Sequence, residues 1–465
     1  MNDPRWASID AFAEQNRDNI LRDITRLVAV PSVEGTPEPG APFGAGPKAA
    51  LDKALEIAAE LGLQTYNADG YIGWAETGSI AEGQKFLATI THTDVVPEGN
   101  GWDADPYTVR VRDGWILGRG VADDKGPSIL CLYALKYLKD NGVPLKYPVR
   151  ALLGANEETN MHDVDYYAEH YPMPAFCFTP DAEFPVCNGE KGGFNGEIVS
   201  PKLENGVIAD FSGGVAHNAV PDRASCTVHV AVDRIRLTEG VTAEAGEQGT
   251  TVLHGWGKSG HAAMPEGTVN AIGLLVNCLL ENDICTPQEQ AYLKVLQTLH
   301  AATDGSTLGI AANDGLFDPL TIIGGTIEMQ GGVIRQSFDC RYPTNTDPEK
   351  MTAELEKVCG TAAHLENLTS RVPFYIAADS PAIQTLITTY NDVTGENKTP
   401  FTMGGGTYAR HFPYAVSFGP EHTDLAIPEF AGPMHGANEG APFEKMIEAL
   451  KIYILALLRL QEIDL

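Results

Sequence analysis

The sequence predicts an α/β domain interrupted by an inserted α+β domain, and three observations carry that prediction. Strand-like apolar runs alternate with amphipathic helical patterns up to about residue 187, as in a helix-flanked sheet. From Asn188 the texture turns to Gly-rich, β-type segments with a few helices, ending near Ala378. Helical spacing of the first kind resumes at Pro381. At roughly 150 residues per domain, a chain of 465 residues has room for two to three. The economical division is 1–187 and 379–465 as the two parts of an outer domain, with 188–378 as the insert between two short hinges.

In chain order, Ile9 to Val28 sets Ile20, Leu21, Ile24, Leu27 and Val28 on one helical stripe before Pro31 stops the run. A second helix, Lys48 to Leu61, presents Leu51, Leu55 and Ala58 and ends at Gly62. Phe86 to Ile90, Tyr147 to Leu153 and Ala175 to Phe178 read as strands, with a helix from Ser128 to Leu138 before Asn141 and Gly142. In the insert, Ala224 to Val232 and Thr250 to Leu253 read as strands, and Asn270 to Leu280 and Glu289 to Leu299 as helices. Pro381 to Tyr390 and the long amphipathic Phe443 to Leu460 complete the outer domain as core-facing helices.

Composition narrows the function classes. With 62 acidic against 32 basic residues the net charge is -30, a field that repels phosphate backbones and anionic lipid surfaces, so neither a nucleic-acid nor a membrane partner is expected. No stretch approaches ~18 consecutive apolar residues, and no signal peptide is visible. The eight cysteines are dispersed without a CxxC pair, which reads as reduced thiols in a cytoplasmic protein.

The chemistry lies where acidic and imidazole side chains follow apolar runs. Phe86 to Thr91 leads to His92 and Asp94; Trp115 to Leu117 leads through Gly118, Arg119 and Gly120 to Asp123 and Asp124. Arg150 to Leu153 leads to Glu157 and Glu158, and Phe176 to Phe178 to Asp181 and Glu183. In α/β sheets the ligand crevice lies beyond the carboxyl ends of the strands, so these groups are expected to converge on one edge. Carboxylates so gathered raise one another's pKa unless cations compensate, and imidazole with carboxylate suits Zn²⁺, Mn²⁺ or Co²⁺. The Gly404 to Thr407 run lacks the Lys-Ser/Thr of a phosphate loop, and HExxH and GxSxG are both absent.

His92-Thr93-Asp94, Gly101-Trp102, Gly118-Arg119-Gly120 through Asp123-Asp124-Lys125-Gly126, Glu157-Glu158, Asp181 and His435-Gly436 occur in one order along nearly the whole chain. Together they resemble the di-metal aminoacylase, carboxypeptidase G and dipeptidase family of metallopeptidases, and most of all its PepV-type dipeptidases. The resemblance implies a di-metal exopeptidase-type catalytic domain, a mixed sheet flanked by helices, with the insert as an α+β lid. It implies His92, Asp123, Glu158, Asp181 and His435 as ligands of two divalent ions, Asp123 bridging them, with Zn²⁺ first and Mn²⁺ or Co²⁺ as alternatives. Asp94 would accept from the His92 ring, Glu157 would be the general base, and the Asp123–Asp124 peptide would be cis. From the lid, His261 would reach the scissile carbonyl, with Asn218 and Arg341 binding substrate. Gly404, Gly405 and Gly406 would receive its carboxylate.

The implied activity is hydrolysis of dipeptides with a free amino terminus by a metal-bridging water, the alternative being an N-acyl-amino-acid amidohydrolase or desuccinylase with the same centre. Asp181 favours the former, because acylases and carboxypeptidases of this family tend to carry Glu there. The large insert resembles an enlarged lid that replaces a partner subunit, so a monomer acting on small peptides is expected. Asn156 departs from the Asp that relatives commonly have. His217 competes with His261 for the lid role, and the remaining histidines read as ordinary structural residues.

Overall fold

Three strands read from the sequence lie side by side and parallel, which brings their carboxyl ends together. In the computed structural model, which describes residues 3–422 and 424–465, Leu87–His92 is buried throughout and pairs in parallel with Val149–Gly154 and with Phe176–Thr179. Ala415–Ser417 adds a further parallel strand beyond Phe176–Thr179. Ile72–Glu76 and Gln64–Ala68 extend the other side in antiparallel fashion, making the sheet mixed. Strands covered on both faces need apolar residues at every position, so they read as unbroken runs.

The helices Trp6–Val28, Lys125–Asp140 and Phe443–Leu460 pack on one another, and Lys125–Asp140 lies against the two central strands. Ala45–Glu60 covers Gln64–Ala68 and Ile72–Glu76. Lys125–Asp140 starts before the expected Ser128 because Lys125, Gly126 and Pro127 are all buried and show no polar and apolar alternation. The Asp123–Asp124 peptide is cis.

The chain divides into two compact units: residues up to Asn188 with Tyr375–Phe401 and Gly406–Leu465, and Gly189–Phe374 with Thr402–Gly405. Two boundaries differ from the sequence reading. The insert ends at Phe374 rather than Ala378, since the Ile376 amide donates to the Asn188 carbonyl and the Asn188 side-chain amide donates back to that of Ile376. Residues 402–405, assigned above to the second part of the catalytic domain, cluster with the insert. Thr402 Oγ1 donates to the Leu316 carbonyl and the Lys191 amide to that of Met403, contacts no local pattern announces.

The inserted unit is built on an eight-stranded antiparallel sheet with Arg223–Val228, Ile208–Gly213, Thr321–Gln330 and Val333–Tyr342 at its middle. Arg223–Val228 alternates exposed or half-buried with buried residues, so one face packs on the helices Ala271–Asn282 and Pro287–His300. The second of these begins with a capping box, Thr286 and Glu289 satisfying each other's backbone amides, and Glu289 also accepts from the Ile208 amide.

A further correction concerns Trp115–Leu117. It is not part of the central sheet but of a three-stranded one with Arg110–Arg112 and Gly440–Pro442. Asp113 and Gly114, both at positive φ, turn the hairpin, and pairing with so near a neighbour takes the strand away from the central sheet. Asp123 therefore reaches the sheet edge from the loop entering Lys125–Asp140.

Candidate metal centre

His92 ends its strand in register with Gly154, the last residue of the neighbouring strand, while Asp181 lies two residues beyond Phe176–Thr179. Parallel strands thus deliver His92, the Glu157–Glu158 loop and Asp181 to one edge, as strand polarity requires. Among the described residues, one donor atom from each of His92, Asp123 and Asp181 lies within 4.8 Å of the others, and the same holds for Asp123, Glu158 and His435. Asp123 is common to both groups: its Oδ1 lies 2.9 Å from His92 Nε2 and its Oδ2 2.8 Å from His435 Nε2. His92 Nε2 is 3.8 Å from Asp181 Oδ2, and His435 Nε2 is 3.1 Å from Glu158 Oε2.

Electrostatically the cluster calls for positive charge. Burial, with Asp181 and Glu158 nearby, pushes the Glu157 carboxyl well up, and burial with Asp123 does the same to Asp181. Burial also pushes Asp123 up, but hydrogen bonds from His435 and His92 outweigh it and hold the group below the usual carboxylate range. Its partners respond in kind: Asp123 and Glu158 raise His435 to about 11. Among the described residues, the buried oxygens Oδ1 of Asp94 and Oδ1 of Asp124 have no hydrogen-bond partner. Two imidazoles and three carboxylates, without thiolate and with Asp123 common to both groups, form a donor set that would suit a pair of divalent ions.

The surrounding residues set these groups in place. His92 Nδ1 lies 3.0 Å from the Asp94 carbonyl oxygen and 3.4 Å from the Asp94 carboxylate, so backbone and carboxylate of Asp94 both face the ring, the backbone oxygen being the nearer. The other oxygen of the Asp94 carboxylate, Oδ2, accepts from the Glu158 amide at 3.1 Å. Asp163 accepts from the amides of Ala155 and Asn156 and from the Tyr408 hydroxyl, anchoring the start of the Glu157 loop. At Gly154 a Cβ would strike the Tyr408 hydroxyl, so only glycine lets that anchor approach. Asn156, the departure from the family pattern, accepts from the His162 amide and donates to Thr159 Oγ1 at 2.6 Å.

A fully buried pair, Arg119 and Glu439 at 2.6 Å, stands behind Asp123. Glu439 Oε1 accepts from the amides of Gly120 and Ala122 at 3.0 Å and of Asp123 at 3.3 Å, while Arg119 holds the His435 carbonyl at 3.2 Å. One ion pair thus ties both loops that carry the shared half of the centre. Sequence reasoning passed over Glu439, Asp163 and Tyr408. Glu439 follows His435 by only four residues, a faint local signal, whereas Asp163 and Tyr408 are 245 residues apart and carry none.

Other expected site residues lie in the inserted unit. Ala219 and His261 pair across a short two-stranded ladder, and the Asn218 carbonyl accepts from the Ala262 amide. His261 is exposed; partial burial and the Arg341 guanidinium lower its pKa, Asp339 opposing. Arg341 is held by Asp339 through two bonds of 2.7 and 2.9 Å and points Nη1 at the Gly404 carbonyl, 3.5 Å away. His261, Asn218, Arg341, Gly404 and Gly405 thus belong to one unit, and Gly406 to the other. His217, like Asn218, is exposed. No helix among the described residues is long and apolar enough to cross a membrane.

Similarity to known proteins agrees with this arrangement. The chain is 33% identical over 469 residues to the Beta-Ala-Xaa dipeptidase of Lactobacillus delbrueckii subsp. lactis, spanning 97% of each chain. It is 31% identical over 465 residues to the Bacillus subtilis (strain 168) protein YtjP, covering 96% of this chain and 98% of that one. Its fold matches the solved structure of the di-peptidase Dug1p from Saccharomyces cerevisiae with a TM-score of 0.59 at 14% identity, over 99% of both chains. Residues 88–459 match the peptidase family M20/M25/M40, four-fifths of the molecule and every ligand candidate included. A histidine and carboxylate centre on a mixed sheet, and sequence likeness along the whole chain, lead to one conclusion: this chain belongs to the M20/M25/M40 peptidases and is a metallopeptidase, a hydrolase.

Proposed function

We propose that the protein is a dipeptidase, hydrolysing dipeptides that have a free amino terminus, with two divalent ions held by His92, Asp123 and Asp181 and by Asp123, Glu158 and His435. The observation that carries this reading is the sharing of Asp123 by two three-donor groups beside the Glu157 carboxylate, which has no hydrogen-bond partner among the described residues. Full-length likeness to a Beta-Ala-Xaa dipeptidase supports the dipeptide over the N-acyl substrate. The donor set supports Zn²⁺ first, with Mn²⁺ or Co²⁺ as substitutes.

When bound, the ions would polarise the scissile carbonyl and acidify a water. Glu157 takes the proton of the attacking water on its carboxylate and passes it to the leaving amine nitrogen, a transfer helped by the raised pKa of a crowded, buried carboxyl. Asp94, through the Glu158 amide, and Asp163, through those of Ala155 and Asn156, keep the Glu157 loop from drifting. His261 is assigned to the developing oxyanion, and Asn218, Arg341 and Gly404 to Gly406 to the substrate, its carboxylate suiting the guanidinium and backbone amides. All eight cysteines are buried free thiols, which supports a cytoplasmic setting, and the large insert supports a monomer.

Hydrolysis of a dipeptide and of its N-acetylated form, measured side by side on chelated and metal-restored protein, tests the reading. The dipeptide alone should be cleaved, and only after Zn²⁺, Mn²⁺ or Co²⁺ is returned. Faster cleavage of the acetylated form would replace dipeptidase by amidohydrolase.

A further inference from the structure

Within the catalytic unit, beside Asp181, lies a cavity of about 230 Å³ that neither the ligand set nor Glu157 explains. Its walls are apolar, formed by Trp115, Leu425, Ile427, Met434 and Met446 among others. Leu425 and Ile427 are 38% and 46% exposed. Single exposed apolar residues are ordinary, but two on the lining of one cavity offer cover to an apolar ligand group. A dry cavity of about 150 Å³ already admits benzene, so this one has room for a single aliphatic or aromatic side chain.

The polar part of the lining is small and specific. Lys445 reaches the cavity, but its ammonium is engaged by Glu448 at 2.7 Å. Glu421 is half-buried, and its carboxylate has no hydrogen bond or ion pair among the described residues. Its strand Pro420–Glu421 pairs in parallel with Ala182–Glu183, one strand spacing from the segment that Asp181 opens. Burial, Glu183 and Asp123 all raise its pKa, so the charges around it are themselves acidic and a cationic ligand group would compensate them. On the same lining the Nε2 atom of His422 is buried without a hydrogen-bond partner among the described residues, Glu448 Oε1 standing 4.0 Å away.

Apolar walls, one unpaired anion and a candidate ligand carboxylate at the edge describe the surroundings of an ammonium attached to an apolar side chain. We infer that this cavity receives the amino-terminal residue of the substrate, with its side chain on the apolar walls and its α-ammonium on the Glu421 carboxylate. The inference rests on the dipeptidase reading and narrows it to dipeptides whose first residue is apolar and whose amino group is free. An N-acyl group brings no cation, and would bury Glu421 uncompensated. An acidic first residue would add a second uncompensated charge.

Steady-state kinetics of the metal-loaded enzyme on leucyl-alanine and glycyl-alanine tests both halves. The parent protein should prefer leucyl-alanine in kcat/KM by at least about 10-fold, the scale of apolar pocket discrimination. Ile427→Asp should compress that ratio, and Leu425→Asp serves the same purpose should the first variant not fold. Glu421→Gln should raise KM for both substrates at least about 10-fold with metal content and melting temperature unchanged, while Glu421→Asp, which keeps the charge, recovers part of the loss. Equal rates on the two dipeptides in the parent, or an unaltered ratio in the folded Asp variants, would overturn the apolar pocket. An unchanged KM in Glu421→Gln would overturn the ammonium site. Failure to cleave either dipeptide would instead bring down the dipeptidase reading, and this inference with it.

Discussion

The two units bury charge in different ways. In the inserted unit the buried charges of Glu289, Asp339 and Lys191 have nearby structural partners: Glu289 closes a helix cap, Asp339 holds Arg341, and Lys191 donates to the Pro319 carbonyl. Among the described residues, its orphaned buried side-chain atoms are two threonine hydroxyls, of Thr238 and Thr321. In the catalytic unit Asp94, Asp123, Asp124, Arg119, Lys125, Asp163 and Glu439 are all buried, and oxygens of Asp94 and Asp124 remain unpartnered. Burying a charge is costly unless it is paired or coordinates a metal. The inserted unit meets that cost with hydrogen bonds, whereas the catalytic unit leaves part of it to cations, and the imbalance marks where the chemistry takes place.

The sharpest way to break this comparison is at Asp123, which both donor groups share. Asp123→Ala should remove both ions and reduce turnover to background, and metal analysis showing one tightly held ion would end the shared role. Next, Glu157→Gln should keep both ions and lower kcat by about 10²–10⁴-fold, as expected for loss of a general base. Metal loss there, with Glu158→Gln retaining both ions, would exchange the two assignments. Arg119→Met leaves the Glu439 carboxylate buried without its counter-charge, so denaturant unfolding should show a loss of about 3–5 kcal/mol, with weaker metal binding because the Asp123 and His435 loops lose their common tie. A loss within 1 kcal/mol by that measure would mean that Glu439 is satisfied without Arg119 (about the surface-pair scale).

The smallest effect belongs to the inserted unit and depends on pH. Burial lowers His300 to about 4, Gln336 opposing through its hydrogen bond, against an ordinary value of 6.5. Because the folded pKa is the lower one, the unfolded chain binds more protons between those values and stability rises with pH across that window. The contribution is fully present above the ordinary value and is lost as pH falls towards the folded one, at most about 3 kcal/mol. His300→Asn should flatten unfolding free energy against pH between about 4 and 6.5 relative to the parent, and an identical slope in both proteins would place the titration elsewhere.

Local rules made much of this molecule readable before any coordinates. Helices such as Trp6–Val28 and Phe443–Leu460 follow from an apolar stripe at helical spacing, and Leu87–His92 and Val149–Gly154 from apolar runs. Strand polarity then predicts that residues just past those runs meet, which brought His92, Glu158 and Asp181 to one edge without long-range information. His435, by contrast, was named only through resemblance to a family, since no apolar run leads to it. Only the tertiary structure decided the rest: that Trp115–Leu117 leaves the central sheet, that residues 402–405 join the insert, that Glu439 underpins Asp123 across 316 residues, and that a cavity with Glu421 on its lining opens beside Asp181. The physical reason is range. Periodicity and capping act within a few residues and leave their mark on the order of the sequence, whereas a buried pair or a cavity is made by segments whose meeting depends on the packing of everything between them.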